Sequence, residues 1–266
     1  MNKPRLLDLF CGAGGCSVGY SRAGFDCYGI DNDPKPLRHY PFPFICMDAL
    51  EAMDRLLRGE GLTFSNGETL YLRDFAAFHA SPPCQGVSIM RNLPWLKDRH
   101  YEVLIAPVRK LLEATGKPYV IENVAAAKYG SKHLEKLGLS EHGMQAGWLC
   151  GGMFGLPIYF HRLFETNFAW LAPGHPKHTK FIRQGHQLRE RCRVPVWNNG
   201  FRCMDDVGSM VLDGHPSKKD VLRVGLAKGI DWMDGEGLSQ AIPPVYLEYI
   251  GKFLLQQVKE GAACIN

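Results

Sequence analysis

The stretch ASPPCQGVS at 80–88 sets one cysteine behind two prolines and ahead of glutamine, glycine and serine. Each proline fixes its own φ and pushes the residue before it out of the helical region. Cys84 is thereby held on a stiff, non-helical elbow, which suits a side chain that has to be presented to a ligand. Taken alone, a cysteine in such a place is more often a small buried apolar group. It is not alone here. LLDLFCGAGG places Gly12, Gly14 and Gly15 directly after an apolar run. Glycine there lets the backbone turn tightly and approach a ligand, while the next helix offers free N–H groups. Asp31 closes a second apolar run, 17 residues after Gly14, where a ribose diol would find its acceptor. Asp48 closes a third and could accept from an adenine amino group. Each acid by itself reads as a helix cap or a solvated loop residue. Gathered on one rim, they describe a nucleoside-bearing cofactor. The glycine pattern stops short of G-x-G-x-x-G because position 17 is serine, which weighs against a dinucleotide enzyme.

These residues need elements to carry them. Apolar runs at 5–10, 25–30, 44–50, 75–80 and 118–123 have strand character, and 17–23 and 101–115 carry apolar residues at helical spacing. Strands alternating with helices imply an α/β fold with a mainly parallel, doubly wound sheet and helices on both faces. Ligands of such sheets bind beyond the carboxyl ends of the strands. The glycine turn, Asp31, Asp48, Cys84 and Glu122 should therefore share one rim. From about 167 to 236 the rhythm breaks into prolines, glycines, histidines and basic residues, and a small separate unit is expected there. The rhythm resumes at 237, where Pro243 and Pro244 can open a helix running to about 258.

Composition sets the bounds. The 266 residues are 45% hydrophobic and 22% charged, ordinary values for a globular chain with a sizeable core. Neither a secretory signal nor a membrane-spanning run is apparent, and nine scattered cysteines do not make a disulfide frame. A reduced, cytoplasmic protein without a membrane partner is expected. The net charge of +4 is uneven: residues 174–204 hold seven Lys or Arg against Glu190 alone, a local +6, so the remainder sums to −2. Such a segment is either a solvated face or a surface for a polyanion. His175, His178, Cys192 and Cys203 could be drawn together as zinc ligands, but their spacing matches no metal pattern, and no metal site is expected.

DLFCGAGG, then PPCQGVS, then IENV, in that order, resembles the cytosine-C5 DNA methyltransferases, which use S-adenosylmethionine. The resemblance runs over about two thirds of the chain, 6–166 and the helix after 237. It implies a class I (Rossmann-like) methyltransferase fold, with 1–166 plus 237–266 as the catalytic domain and 167–236 as a small basic target-recognition domain. It implies that Cys84 is the nucleophile that adds to C6 of cytosine, since only a thiolate attacks there. Glu122 would hold the N3 and N4 edge of the base in its protonated form, so its pKa is expected to be raised. Asn123 would hold the backbone of the site. GLPIYFHRLFET resembles the family's glutamine–arginine–arginine motif, but Ile158 and Phe160 stand at the first two places and only Arg162 remains, as the contact to cytosine O2. Phe10, the backbone of Gly12 and Gly14, Asp31, Asp48 and Pro82 would line the cofactor, joined by Ser239, Gln240 and Ala241 of LSQAIPP, where asparagine is usual in place of Gln240. Asn32 stands where many members have a bulky apolar residue against the adenine.

The target carbon of a duplex is hidden in the stack, so the base must be flipped out. Gln85, Ser88, Arg91, Lys97 and Arg99 lie in or after the elbow as a loop for substrate and phosphates, and Arg189, Arg191 and Arg193 supply the basic unit. That unit is short, which implies a short or relaxed recognition sequence. Double-stranded DNA is the expected partner of a monomeric enzyme, with a cognate restriction endonuclease as a genetic partner. The motifs do not separate DNA from tRNA as substrate. A tRNA cytosine-C5 methyltransferase, a non-catalytic DNA-binding scaffold and a donor of some group other than methyl all stay open.

Overall fold

The computed structural model describes residues 3–87, 101–124, 143–144, 146–156, 158–177, 181–184, 187–190, 201–204, 209–212 and 218–263. In chain order, β1 (Arg5–Leu9) leads to α1 (Gly15–Ala23), β2 (Asp26–Asp31), α2 (Pro34–Leu37), β3 (Phe44–Cys46) and α3 (Ala49–Leu57). A hairpin of β4 (Leu62–Thr63) and β5 (Thr69–Leu70) precedes β6 (Ala77–Ala80), α4 (Ile105–Ala114), β7 (Tyr119–Val124), β8 (Gly147–Leu149) and β9 (Arg162–Thr166). Two small ladders follow, β10 (Phe181–Gln184) with β11 (Gln187–Glu190) and β12 (Phe201–Met204) with β13 (Ser209–Leu212). The chain closes with α5 (Lys218–Lys228), α6 (Gly235–Gln240) and α7 (Pro244–Ala263).

Among the described residues, seven strands form one sheet in the order β3-β2-β1-β6-β7-β9-β8. The first five run parallel, while β9 is antiparallel to β7 and to β8. This is the Rossmann-like α/β methyltransferase architecture expected from the sequence. The central strands are buried along nearly their whole length, as a sheet covered on both faces demands. The strand order reverses between β1 and β6, so the crevice beyond their carboxyl ends is where a ligand belongs. The glycine turn leaves β1 and the cysteine elbow leaves β6, one on each side of that point.

Two apolar layers enclose the sheet. One joins Leu7, Leu9, Ile30 and Phe78 to α3 and α4 through Met53, Leu56, Val108 and Leu112. The other joins Leu6, Phe25, Ala77 and Val120 to Tyr20 of α1 and to Tyr246, Leu247, Ile250 and Leu254 of α7. Val224 and Ala227 of α5, with Ile230 and Met233 after it, sit in that same second layer. Gly225 of α5 lies close to Leu238 of α6, where an added Cβ would come 3.7 Å from Leu238 Cδ1. α1 and α7 pack closely because Gly19 has no side chain: a Cβ there would lie 2.2 Å from the Pro244 carbonyl oxygen and 2.8 Å from Leu247 Cβ. Gly19→Ala should thus cost about 1–3 kcal/mol in urea unfolding, the usual range for overpacking. Gly261→Ala, near the end of α7 where an added methyl meets nothing within 4 Å, should instead gain about 0.5–1 kcal/mol from helix entropy. Equal midpoints for the two variants would sink this packing account.

Candidate active site

The turn after β1 uses backbone conformations that few residues tolerate. Phe10 has φ 59°, the only non-glycine with positive φ among the described residues, followed by Gly12 at 52° and Gly14 at 88°. Such strain in a bulky residue gathers where function over-determines the backbone. Asp31, at the end of β2, locks the turn. Its Oδ2 accepts from the Gly12 N–H at 2.9 Å and its Oδ1 from the Asp33 N–H at 2.9 Å. Burial pushes the Asp31 carboxyl up, against those hydrogen bonds. A carboxylate still has lone pairs to spare for a diol after accepting two N–H groups. Asp48 is exposed and caps α3, its Oδ1 accepting from Leu50 and Glu51 at 2.9 and 3.0 Å. Beneath the turn, Ser17 donates to the wholly buried Asp8, whose carboxyl burial raises to about 7.

The elbow after β6 carries Pro82 buried, Cys84 half-buried and Gln85 exposed. Asn123 Nδ2 donates to the Pro82 carbonyl at 3.0 Å, and its Oδ1 accepts from the Val124 N–H at 2.9 Å, tying the elbow to the end of β7. Next to Asn123, Glu122 is buried, with Arg162 Nε 3.1 Å from its Oε1. That oxygen receives the charge but no directed hydrogen bond among the described residues. Burial pushes the Glu122 carboxyl up to about 7, with Arg162 and a hydrogen bond from Ser81 opposing. Burial also raises the Cys84 thiol, which Arg162 pulls down and Glu122 pushes up, so the three groups sense one another. The expectation of a raised Glu122 pKa thus has a physical cause here, the removal of water from its carboxylate.

Some partners were not singled out from the sequence. His79 in β6 is fully buried, and desolvation drives its pKa down to about 3, so the ring is neutral. Tyr20 Oη lies 2.9 Å from its Nδ1 and Ser81 Oγ 2.9 Å from its Nε2. One tautomer satisfies the chain: Tyr20 donates to Nδ1, Nε2–H donates to Ser81, and the Ser81 hydroxyl donates to Glu122. Residues 79 and 81 share a sheet face by strand alternation, the signal that could have found them. Lys228, 1% exposed, donates to the carbonyls of Leu238 and Ala241 at 2.6 and 2.9 Å, holding the end of α6 where Ser239, Gln240 and Ala241 lie. Trp232 Nε1 donates to the Ala13 carbonyl at 3.0 Å, within the glycine turn. Phe160 and Ile158 are buried apolar residues, and Phe160 lies 3.8 Å from the Arg162 guanidinium and 4.4 Å from the Lys228 ammonium.

Ser88, Arg91, Lys97, Arg99, Arg191 and Arg193 lie outside the described residues. Arg189 is in β11, paired with Ile182. The structure brings Cys84, Glu122, Asn123, Arg162 and Pro82 together, and sets Phe10, Gly12, Gly14 and Asp31 at the neighbouring strand ends.

A model of C-5 cytosine-specific DNA methylases matches residues 4–137, half of the chain. The chain belongs to that family. The type II methyltransferase M.XorII of Xanthomonas oryzae pv. oryzae is 33% identical to this chain over 144 residues, 52% of this chain and 32% of that protein. The chain thus spans about a third of the length of the curated relative it matches. In fold, the chain is similar to an E. coli prophage protein assigned as a DNA modification methyltransferase. The TM-score is 0.53 at 15% identity, over 96% of this chain and 99% of that one. The family is S-adenosylmethionine-dependent, and the rim of this chain fits such a donor. A left-handed turn with open space above Gly12 faces a half-buried carboxylate, as a nucleoside requires.

Removing the Ser81 hydroxyl takes a donor from the charged form of Glu122, so Ser81→Ala should raise the Glu122 pKa by about one unit. Carbon-detected NMR of labelled glutamate carboxyls reads that midpoint directly. An unmoved midpoint would break the Tyr20–His79–Ser81–Glu122 chain.

Proposed function

We propose that this methylase methylates C5 of cytosine in double-stranded DNA, through a covalent cysteine adduct on a base flipped out of the helix. One observation carries the proposal: a buried, half-protonated carboxyl, Glu122, with an oxygen awaiting a hydrogen-bond partner, sits between Arg162 and the Cys84 elbow. C5 of cytosine is too weak a nucleophile to take a methyl group unaided. The Cys84 thiolate adds to C6, and the electron pair moves to make C5 an enamine carbon. Glu122 keeps its proton on the N3 side of the ring, where charge would otherwise build up. Arg162 contacts O2 and steadies both the thiolate and the carboxylate. Asn123 fixes the elbow through Pro82. Phe10, Gly12, Gly14, Asp31, Asp48, Pro82 and 239–241 would hold S-adenosylmethionine, which would supply an electrophilic methyl group to C5 and leave as S-adenosylhomocysteine. Transfer of the C5 proton to solvent then frees the electron pair that expels the Cys84 thiolate and restores the aromatic ring.

The small basic unit at 167–236 contacts the duplex through Arg189, Arg191 and Arg193, while Gln85, Ser88, Arg91, Lys97 and Arg99 approach the flipped base and its phosphates. Its size supports a short recognition sequence. The setting proposed for it is that of a cytoplasmic, monomeric enzyme paired genetically with a restriction endonuclease.

The active form needs Cys84 ionised and Glu122 protonated. Well below pH 7 nearly every Glu122 holds its proton and the thiolate fraction grows with pH, so kcat/KM should rise about tenfold per unit there. From about 7 to the raised thiol pKa the two fractions cancel and the profile should be flat. A rise continuing unbroken through pH 8 would exclude Glu122 as the proton holder. Nucleoside mass spectrometry on DNA and tRNA from cells expressing wild type or Cys84→Ser tests the substrate. 5-Methylcytosine in DNA that vanishes with Cys84→Ser, while purified Cys84→Ser still binds S-adenosylmethionine, is the expected result. The same mark found only in tRNA would overturn the DNA assignment.

A further inference from the structure

Away from the sheet's ligand crevice, three side chains from separate segments converge. Cys150 follows β8 and caps the short 3₁₀ turn Gly151–Phe154, His161 immediately precedes β9, and His175 lies in the loop beyond it. Cys150 is buried, His161 half-buried and His175 exposed, and one ligand atom from each lies within 4.8 Å of the other two. The two imidazole Nε2 atoms are 3.4 Å apart. Bonds of about 2.0–2.1 Å to a tetrahedral ion would put two such nitrogens about 3.3–3.4 Å from each other. A hydrogen bond between the rings would also bring them close, but 3.4 Å is long for one. Trp148 covers the cluster, its ring centroid 5.3 Å from that of His161 and 4.5 Å from that of His175. An apolar cover of this kind limits water and strengthens coordination.

We infer that Cys150, His161 and His175 bind one zinc ion, with water as the fourth ligand. A soft thiolate with two neutral imidazoles selects zinc over the hard, oxygen-seeking cations. On binding, the Cys150 thiol releases its proton to solvent and its sulfur becomes a ligand, with no change of oxidation state. The spacing of the three in the chain resembles no metal motif, since they come together only when β8, the start of β9 and the later loop are folded side by side. The ion clips the loop that opens the basic 174–204 segment onto the edge of the sheet. It also fixes His161, whose carbonyl accepts from Arg162 Nη1 at 2.9 Å. Arg162 is the residue beside Glu122, so the clip braces the active-site end of β9. This inference does not depend on which nucleic acid is methylated.

Cobalt(II) reports on such a site by colour. The full chain, stripped with a chelator under reducing conditions and titrated with Co²⁺, should develop the visible bands of a tetrahedral ion and a near-ultraviolet thiolate-to-metal band. Both should saturate at one ion per chain and be displaced by Zn²⁺. Cys150→Ser should lose the thiolate band. Because Cys150 is buried, His175→Ala provides the second test: it alters an exposed loop, and should weaken Co²⁺ binding at least about 10- to 100-fold, the loss seen even for outer partners of a metal. Far-ultraviolet circular dichroism confirms that both variants remain folded. The absence of tetrahedral bands in the wild type, or bands of unchanged strength in His175→Ala, would overturn the inference.

Discussion

The candidate active site hangs on one strand register. β9 runs antiparallel to β7 with Arg162 opposite Val124 and Phe164 opposite Glu122. Residues 122 and 124 share a face, so Arg162 stands diagonally across from Glu122 and its guanidinium reaches the carboxylate at 3.1 Å. A slip by one residue would turn Arg162 to the other face and leave a buried carboxylate with no compensating charge. That pairing explains why the raised Glu122 pKa stops near 7 rather than climbing further, and it is also the source of the field at Cys84. Reversing the direction of β9 in an otherwise parallel stretch is what makes the diagonal available.

The donor side depends on a different constraint, the return of the chain's far end to its beginning. Trp232 reaches the Ala13 carbonyl, and a Cβ on Gly237 would touch Ala13 Cβ at 3.4 Å. These approaches lay α6 along the glycine turn, and Lys228 holds the carbonyls at its end. An ammonium this deeply buried is tolerable because it donates to two carbonyls and lies against an aromatic ring. The same ring, Phe160, stands where the family pattern has an arginine. Phe160 and Ile158 are both buried and apolar here, and Arg162 supplies the positive charge beside Glu122.

Much of this arrangement was legible in the residues. The five parallel strands show as apolar runs because a strand buried on both faces has no polar side to display. The glycine turn, the proline elbow and the IENV strand end each owe their form to local backbone chemistry, which travels with the sequence. Asp48 carried two meanings from the outset, a cap or a ligand to adenine, and the cap is present in the fold. Val224 and Ala227 of α5 join the second apolar layer, a burial that the Pro-, Gly- and Lys/Arg-rich stretch around them did not advertise.

What sequence order could not reveal is convergence between distant segments. Local patterning specified the fold class, the family and the identity of Cys84 and Glu122 as the residues to watch, because turns, strand ends and motif order are properties of short stretches. The Tyr20–His79–Ser81 chain behind Glu122, the two carbonyls on Lys228 and the Cys150–His161–His175 cluster arise from packing. Their members lie up to scores of residues apart and carry no spacing rule. Burial then assigns their chemistry: removal of water makes His79 neutral and Glu122 half-protonated, and no one-dimensional pattern records how much water a side chain has lost.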